Sequence, residues 1–235
     1  MSHKASRRGH LRTSIRVCNA WVAFLDVYGF SDMVRSQNPE HLSRRLLKAR
    51  AEVVRIASTS ESKPVMHSLS DSIFLVYPIS TRSSKWTALR RCIDDTQSIL
   101  ATFVKHGLPL RGGVAFGKVS YGPNLLLGRA VLAAVNYEDI VPAPLVLLPA
   151  REISGKAGHI EFPVSDIHNI ILKDGGTMSA KLLFPSPIDG FYELVLLRAE
   201  QLALNGPYLV ATAWNNARDF LYHYRLTSTS REAKP

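Results

Sequence analysis

Val22-Ala23-Phe24-Leu25-Asp26-Val27, followed at once by Tyr28-Gly29-Phe30-Ser31, sets the reading of the whole chain. A short apolar run that ends in an acid and then in a turn-like tetrapeptide reads as a buried strand. Asp26 stands at its C-terminal end. Across 39–57, Leu42, Leu46, Ala49, Val53 and Ile56 alternate at helical spacings and form the apolar face of a helix that packs on the sheet. Two strand-like runs, 65–69 and 73–77, are separated by Ser70-Asp71-Ser72, which predicts a β-hairpin with Asp71 at its tip. Leu89, Ile93, Thr96, Leu100 and Phe103 predict a second helix, stopped by His106-Gly107 and Pro109.

A strand over 110–116 follows, in which Gly112 and Gly113, with Gly117 just beyond, allow close backbone approach. A third helix is expected over 128–140 and another strand over 143–148. This order is the grammar of an α+β, ferredoxin-like βαββαβ core with C-terminal additions, with one sheet and its helices on one face. Beyond about Gly155 the signals are weaker. Short runs at 167–172 and 191–196 are punctuated by Gly175-Gly176, Pro185, Pro187 and Gly190. Residues 207–226 have helical spacing and carry Trp214, Phe220, Tyr222 and Tyr224, a stripe of core or dimer-contact character. The expected organisation is a basic tail over 1–19, a single domain over 20–226 and a tail over 227–235.

A chain of 235 residues with 46% hydrophobic content can bury a sizeable core, which excludes disorder throughout. Cys18 and Cys92 lie far apart without metal-ligand spacing, so neither a disulfide framework nor a zinc knuckle is expected, and a reducing, cytoplasmic setting fits. The longest apolar stretches are too short to span a bilayer. The formal net charge of +10 points to an anionic partner. Lys4, Arg7, Arg8, Arg12 and Arg16 supply much of it before the first acid, Asp26, and read as a solvated basic tail.

Asp26 and Asp71 become neighbours if their strands are adjacent in an antiparallel sheet, and neighbouring acids repel unless a cation sits between them. Two divalent ions about 3.5–4 Å apart would answer the repulsion and serve an in-line phosphoryl displacement. Hard, oxygen-ligated Mg2+ or Mn2+ is implied. The competing reading makes Asp26 a turn or cap residue and Asp71 an ordinary hairpin-turn aspartate.

Ala23 to Ser31 together with Leu69-Ser70-Asp71-Ser72-Ile73, Leu110-Arg111-Gly112-Gly113-Val114-Ala115-Phe116-Gly117 and Gly128-Arg129-Ala130 resembles the class III nucleotidyl cyclase catalytic domain. Within that class it is most similar to the bacterial pyrimidine cyclases of Pycsar anti-phage systems. The resemblance covers about residues 20–150 and rests on the order and spacing of the blocks. It implies that Asp26 and Asp71 hold the metals, with the Val27 carbonyl as a further ligand. It implies that Tyr28, Gly29, Phe30 and Ser31 receive the triphosphate on backbone amides at the start of a helix. Ser31 is alternatively the cap of that helix.

Departures from the family pattern bear on the substrate. Where purine cyclases carry a base-reading Lys this chain has His67, and Leu125 stands at their second base-reading position. Their transition-state Asn and Arg fall on Leu132 and Asn136. Arg129, Arg111 and Asn136 are the remaining candidates for stabilising charge, Arg111 alternatively being a strand residue paired to a surface acid. A pyrimidine substrate, UTP before CTP, is expected. The resemblance further implies a homodimer with composite active sites and a cyclic nucleotide product read by a separate effector. A purine cyclase, a degenerate nucleotide-binding module and an RNA-binding ferredoxin-like domain are the rivals. The RNA-binding match is poor, because Gly and Val occupy the positions of its stacking aromatics.

Overall fold

The computed structural model describes residues 14–60, 63–80, 84–140, 145–153, 168–171 and 177–183. The readings made above for residues 1–13, 191–196, 207–226 and 227–235 lie outside them. The chain runs β1 (Arg16–Val27), α1 (Phe30–Ser36), α2 (Pro39–Thr59), β2 (Val65–Leu69), β3 (Ser72–Pro78) and α3 (Lys85–Lys105). It continues with β4 (Leu110–Gly122), β5 (Leu125–Gly128), α4 (Arg129–Asp139), β6 (Val146–Pro149), α5 (Ala150–Ile153), β7 (His168–Ile171) and β8 (Thr177–Leu183).

Among the described residues one sheet has the order β2-β3-β1-β4-β6-β8-β7, with β5 paired to β4. The first four strands in that order are the ferredoxin-like core, and β1 lies antiparallel to both β3 and β4. β6 then adds parallel to β4 through Gly112 and Gly113. α2 begins at Asn38, whose Oδ1 accepts from the amides of Glu40 and His41, followed by Pro39. Ser84 caps α3 by accepting from Thr87.

Strand alternation divides the molecule into two cores. Trp21, Ala23, Leu25 and Val27 pack against Leu42, Ala49 and Val53 of α2 and Leu89, Ile93 and Phe103 of α3. Ala20, Val22 and Phe24 face the other way and pack with Ala130, Ala134 and Tyr137 of α4. Helices therefore cover both faces of the sheet, which corrects the expectation that all of them lie on one. The stripe Ala130, Ala134 and Tyr137 explains the placement, because it meets glycines on the reverse side of β4. A Cβ on Gly113 would stand 2.4 Å from the Tyr137 Cβ and 2.6 Å from the Ala134 oxygen, so only glycine lets α4 approach this closely.

Two boundaries also move. β1 starts at Arg16, inside the segment read as tail, because its exposed first residues pair with 118–121 of β4. The cap of α1 is Gly29, in the left-handed region at φ 73°, and not Ser31. No helix among the described residues is long and apolar enough to cross a membrane.

Candidate active site

Register builds the site row by row across the face that α4 shares. Leu25 pairs with Ile73 and Asp26 pairs with Arg111, so the carboxylate row reads Ser72, Asp26, Arg111 from β3 through β1 to β4. Asp71 is the hairpin-turn residue preceding Ser72, beside Ser70 in a left-handed conformation at φ 50°. Asp26 and Asp71 come within interaction range, and the Asp71 carboxyl opposes ionisation of Asp26.

Burial raises the Asp26 pKa above its ordinary value most strongly, the Ser72 hydrogen bond works against that, the Asp71 charge adds to it, and the Arg111 charge offsets part of it. The Ser72 hydroxyl donates to Asp26 Oδ1 at 2.7 Å. Tyr28 N–H donates to the Pro109 carbonyl at 2.8 Å, on the β4 side. The Val27 carbonyl belongs to the same trans peptide and so points the opposite way, toward the β2–β3 hairpin. Asp26, Asp71 and this carbonyl form a hard oxygen set that suits Mg2+ or Mn2+. No cluster of three or more His, Cys, Asp or Glu side chains able to hold a metal occurs among the described residues.

Arg111 forms an ion pair with Glu138 of α4. Its guanidinium carbon lies 5.5 Å from the centre of the Tyr28 ring. Burial pushes the Tyr28 hydroxyl up to about 12 despite that cation. After Tyr28 the chain turns at Gly29, whose carbonyl accepts from Asp32 at 3.2 Å and Met33 at 3.1 Å. Helix geometry leaves the amides of Phe30 and Ser31 without intrahelical acceptors at the start of α1.

The next row on the same face reads His67, Phe74, Phe24, Gly113. The Phe24 and Phe74 rings lie 4.6 Å apart. Burial lowers the His67 pKa, which keeps its imidazole neutral near pH 7, and its Nε2 is shielded from solvent with no hydrogen-bond partner.

Leu125 and Arg129 stand elsewhere. Val119 pairs with both Gly128 and Cys18, which puts them near the N-terminal end of β1. From Cys18 to Asp26 the strand spans roughly 25 Å, at about 3.3 Å per residue. Arg129 lines an open cleft of ≈ 360 Å³ with Val17, Lys118 and Ser120. Leu132 and Asn136 project from α4 into solvent, Leu132 being 64% exposed.

The sequence reading thus finds residues that form two groups. Asp26, Val27, Asp71, Tyr28, Gly29, Phe30, Ser31, His67 and Arg111 gather at one end of the sheet, while Leu125 and Arg129 lie at the other. Ser72 and Glu138 were missed. Ser72 was legible in principle from the hairpin register, whereas Glu138 meets Arg111 only through the docking of α4.

No protein-family model matches the chain, and no curated protein sequence matches it. Solved structures do. The adenylyl cyclase CyaB from P. aeruginosa aligns at TM-score 0.53 and 18% identity, over 75% of this chain and 98% of that one. The guanylate cyclase domain of RhGC from Catenaria anguillulae, solved with GTP, aligns at TM-score 0.54 and 16% identity, over 72% and 98%. The dimeric guanylyl cyclase domain of RhoGC from Blastocladiella emersonii aligns at TM-score 0.54 and 14% identity, over 73% and 98%. This is the class III nucleotidyl cyclase fold. At such identities the likeness establishes architecture, and the chemistry must be argued from the residues themselves.

Proposed function

We propose that this chain is a divalent-metal-dependent nucleotidyl cyclase that converts a pyrimidine nucleoside triphosphate, UTP before CTP, to the 3′,5′-cyclic nucleotide and pyrophosphate. The observation that carries the reading is the convergence of Asp26 and Asp71 from adjacent antiparallel strands, with Arg111 beside them, on a sheet of the cyclase fold. Asp26, Asp71 and the Val27 carbonyl would hold two Mg2+ or Mn2+ ions, which when bound neutralise phosphate charge and lower the pKa of the ribose 3′-hydroxyl.

In the reaction the 3′-oxygen bonds to the α-phosphorus, the hydroxyl proton passes to solvent, and the bond to pyrophosphate breaks. The chain's own part is positioning and charge. Free amides at Phe30 and Ser31 receive phosphate oxygens, with Gly29 supplying the tight turn before them. Arg111 sets a fixed cation beside Asp26. Arg129 comes from a second copy of the chain, because one chain holds it at the opposite end of the sheet, and Asn136, which faces solvent on α4, is assigned to the second copy with it.

His67 and the Phe24–Phe74 pair supply the base-reading floor. A neutral imidazole donates or accepts according to tautomer, which suits the O4 and N3–H of uracil or the N3 and amino group of cytosine. Leu125 of the second copy presents an apolar wall to a purine edge, and a polar edge left unpaired is what rejects the wrong base. The chain's excess of Arg and His donors favours the carbonyls of uracil. The compared structures are guanylyl and adenylyl cyclases. The pyrimidine preference rests on His67 and Leu125 and on the Pycsar resemblance, which also suggests a cytoplasmic second messenger in bacterial anti-phage defence.

The test is incubation of pure protein with Mn2+ and an equimolar mixture of the four ribonucleoside triphosphates, with products identified by chromatography. Predominant cyclic UMP is expected. Cyclic CMP would overturn only the preference for uracil, and cyclic AMP or cyclic GMP would overturn the pyrimidine reading. Absence of any cyclic product would leave a nucleotide-binding module.

A further inference from the structure

Arg111 and Asp26 are direct cross-strand partners on one face of the sheet. Their Cβ atoms at such a position stand about 4.5–5.5 Å apart, well within the reach of a guanidinium to a carboxylate. Yet among the described residues the ion pair of Arg111 is made with Glu138, and Asp26 instead accepts a hydrogen bond from Ser72. Glu138 is only 5% exposed, near the end of a helix pressed onto Gly113. A carboxylate buried to that degree costs free energy unless it is paired, so its partner is tightly specified. The guanidinium also lies over the Tyr28 ring.

We propose that Glu138 is a positioning residue that diverts Arg111 away from Asp26 and Asp71, leaving both aspartates open to a cation while keeping a positive group beside them. Without this diversion the nearest cation to Asp26 is the protein's own arginine, which would close over the carboxylates and compete with any divalent ion. The consequence for metal affinity rests on the reading of Asp26 and Asp71 as the cation site. The diversion itself does not.

Glu138→Gln tests both parts, since it keeps shape and hydrogen-bonding capacity while removing the charge. In metal-free protein, urea unfolding of Asp26→Asn, Arg111→Gln and their combination measures the coupling of Asp26 to Arg111. That coupling should be weak in the wild-type background and strengthen at least about tenfold in the folding equilibrium when Glu138→Gln is present. In nucleotide-free protein, Mn2+ binding followed by paramagnetic resonance should weaken about tenfold in Glu138→Gln. It should recover when Arg111→Gln is added, a rescue that a merely structural role for Glu138 would not produce. Unchanged coupling in the Glu138→Gln background overturns the diversion, whatever the enzyme does. Stronger coupling together with Mn2+ binding that ignores Asp26→Asn upholds the diversion and overturns the cation site of the proposed function.

Discussion

At Asp26 the structure sets two demands against each other. Burial and the facing Asp71 disfavour its charge, while the proposed reaction needs that charge to hold a cation. A carboxyl whose folded pKa is raised contributes stability that is present below its unfolded value, near 3.9, and is lost as pH rises through the folded value. Metal-free Asp26→Asn should therefore melt slightly above wild type at pH 7, by about 2 °C for a chain of this size, with the difference vanishing in acid. Its cyclisation rate should fall at least about 10²-fold. Calorimetry and product assays check the two arms, and near wild-type turnover at saturating Mn2+ would remove Asp26 from the site. Both aspartates were legible in the sequence because a strand-end acid and a hairpin-turn acid need only local grammar. The Arg111–Glu138 pair was not, since it depends on where a helix docks.

Among the elements, α4 is the one that the sequence reading placed on the wrong face of the sheet. Its spacing announces a helix, but periodicity cannot assign the stripe of Ala130, Ala134 and Tyr137 to either face of a sheet. What decides is Gly113, where the missing side chain makes room for Tyr137 and the Ala134 backbone. Gly113→Val should lift α4 and carry Glu138 off Arg111. Overpacking of this kind costs about 1–3 kcal/mol, or roughly 3–10 °C in melting temperature, and should depress turnover as well. Gly117→Ala is the control, because a Cβ there would meet Ala130 Cβ at an ordinary 3.5 Å. A Gly113→Val protein that melts with wild type would show that α4 does not rest on this strand. The hairpin of β2 and β3 was read almost to the residue, since alternation and turn chemistry agree there. β8 was not foreseen, because 177–183 lies beyond Gly155 where the signals are weak, although its partners β6 and β7 fall on the runs read at 143–148 and 167–172.

At the scale of the whole molecule, the proposed site, if it includes Arg129, sets a distance that one chain does not bridge. Asp26 and Arg129 lie near opposite ends of one sheet, roughly 25 Å apart along the strand. Val17, Leu127 and Leu132, near the Arg129 end or on α4, are at least half exposed, and such apolar side chains suit a covered surface. A two-fold axis that sets the Arg129 end of one copy against the carboxylate end of the other would complete two equivalent sites at once. Asp26→Ala and Arg129→Ala homodimers should then each be inactive, since every site lacks one of its two parts. Mixed and allowed to exchange in equal amounts, half of the dimers would be heterodimers, each with one intact site. Activity should return to about a quarter of the wild-type value under random pairing. Asn136→Ala in place of Arg129→Ala asks the same question of the other α4 candidate, and the variant that complements identifies the residue lent across the interface. Sedimentation supplies the companion measurement, with activity expected to fall as the protein is diluted toward monomer. An active species that sediments only as a monomer, or mixtures that never recover, would show that Arg129 and Asn136 stand outside the site.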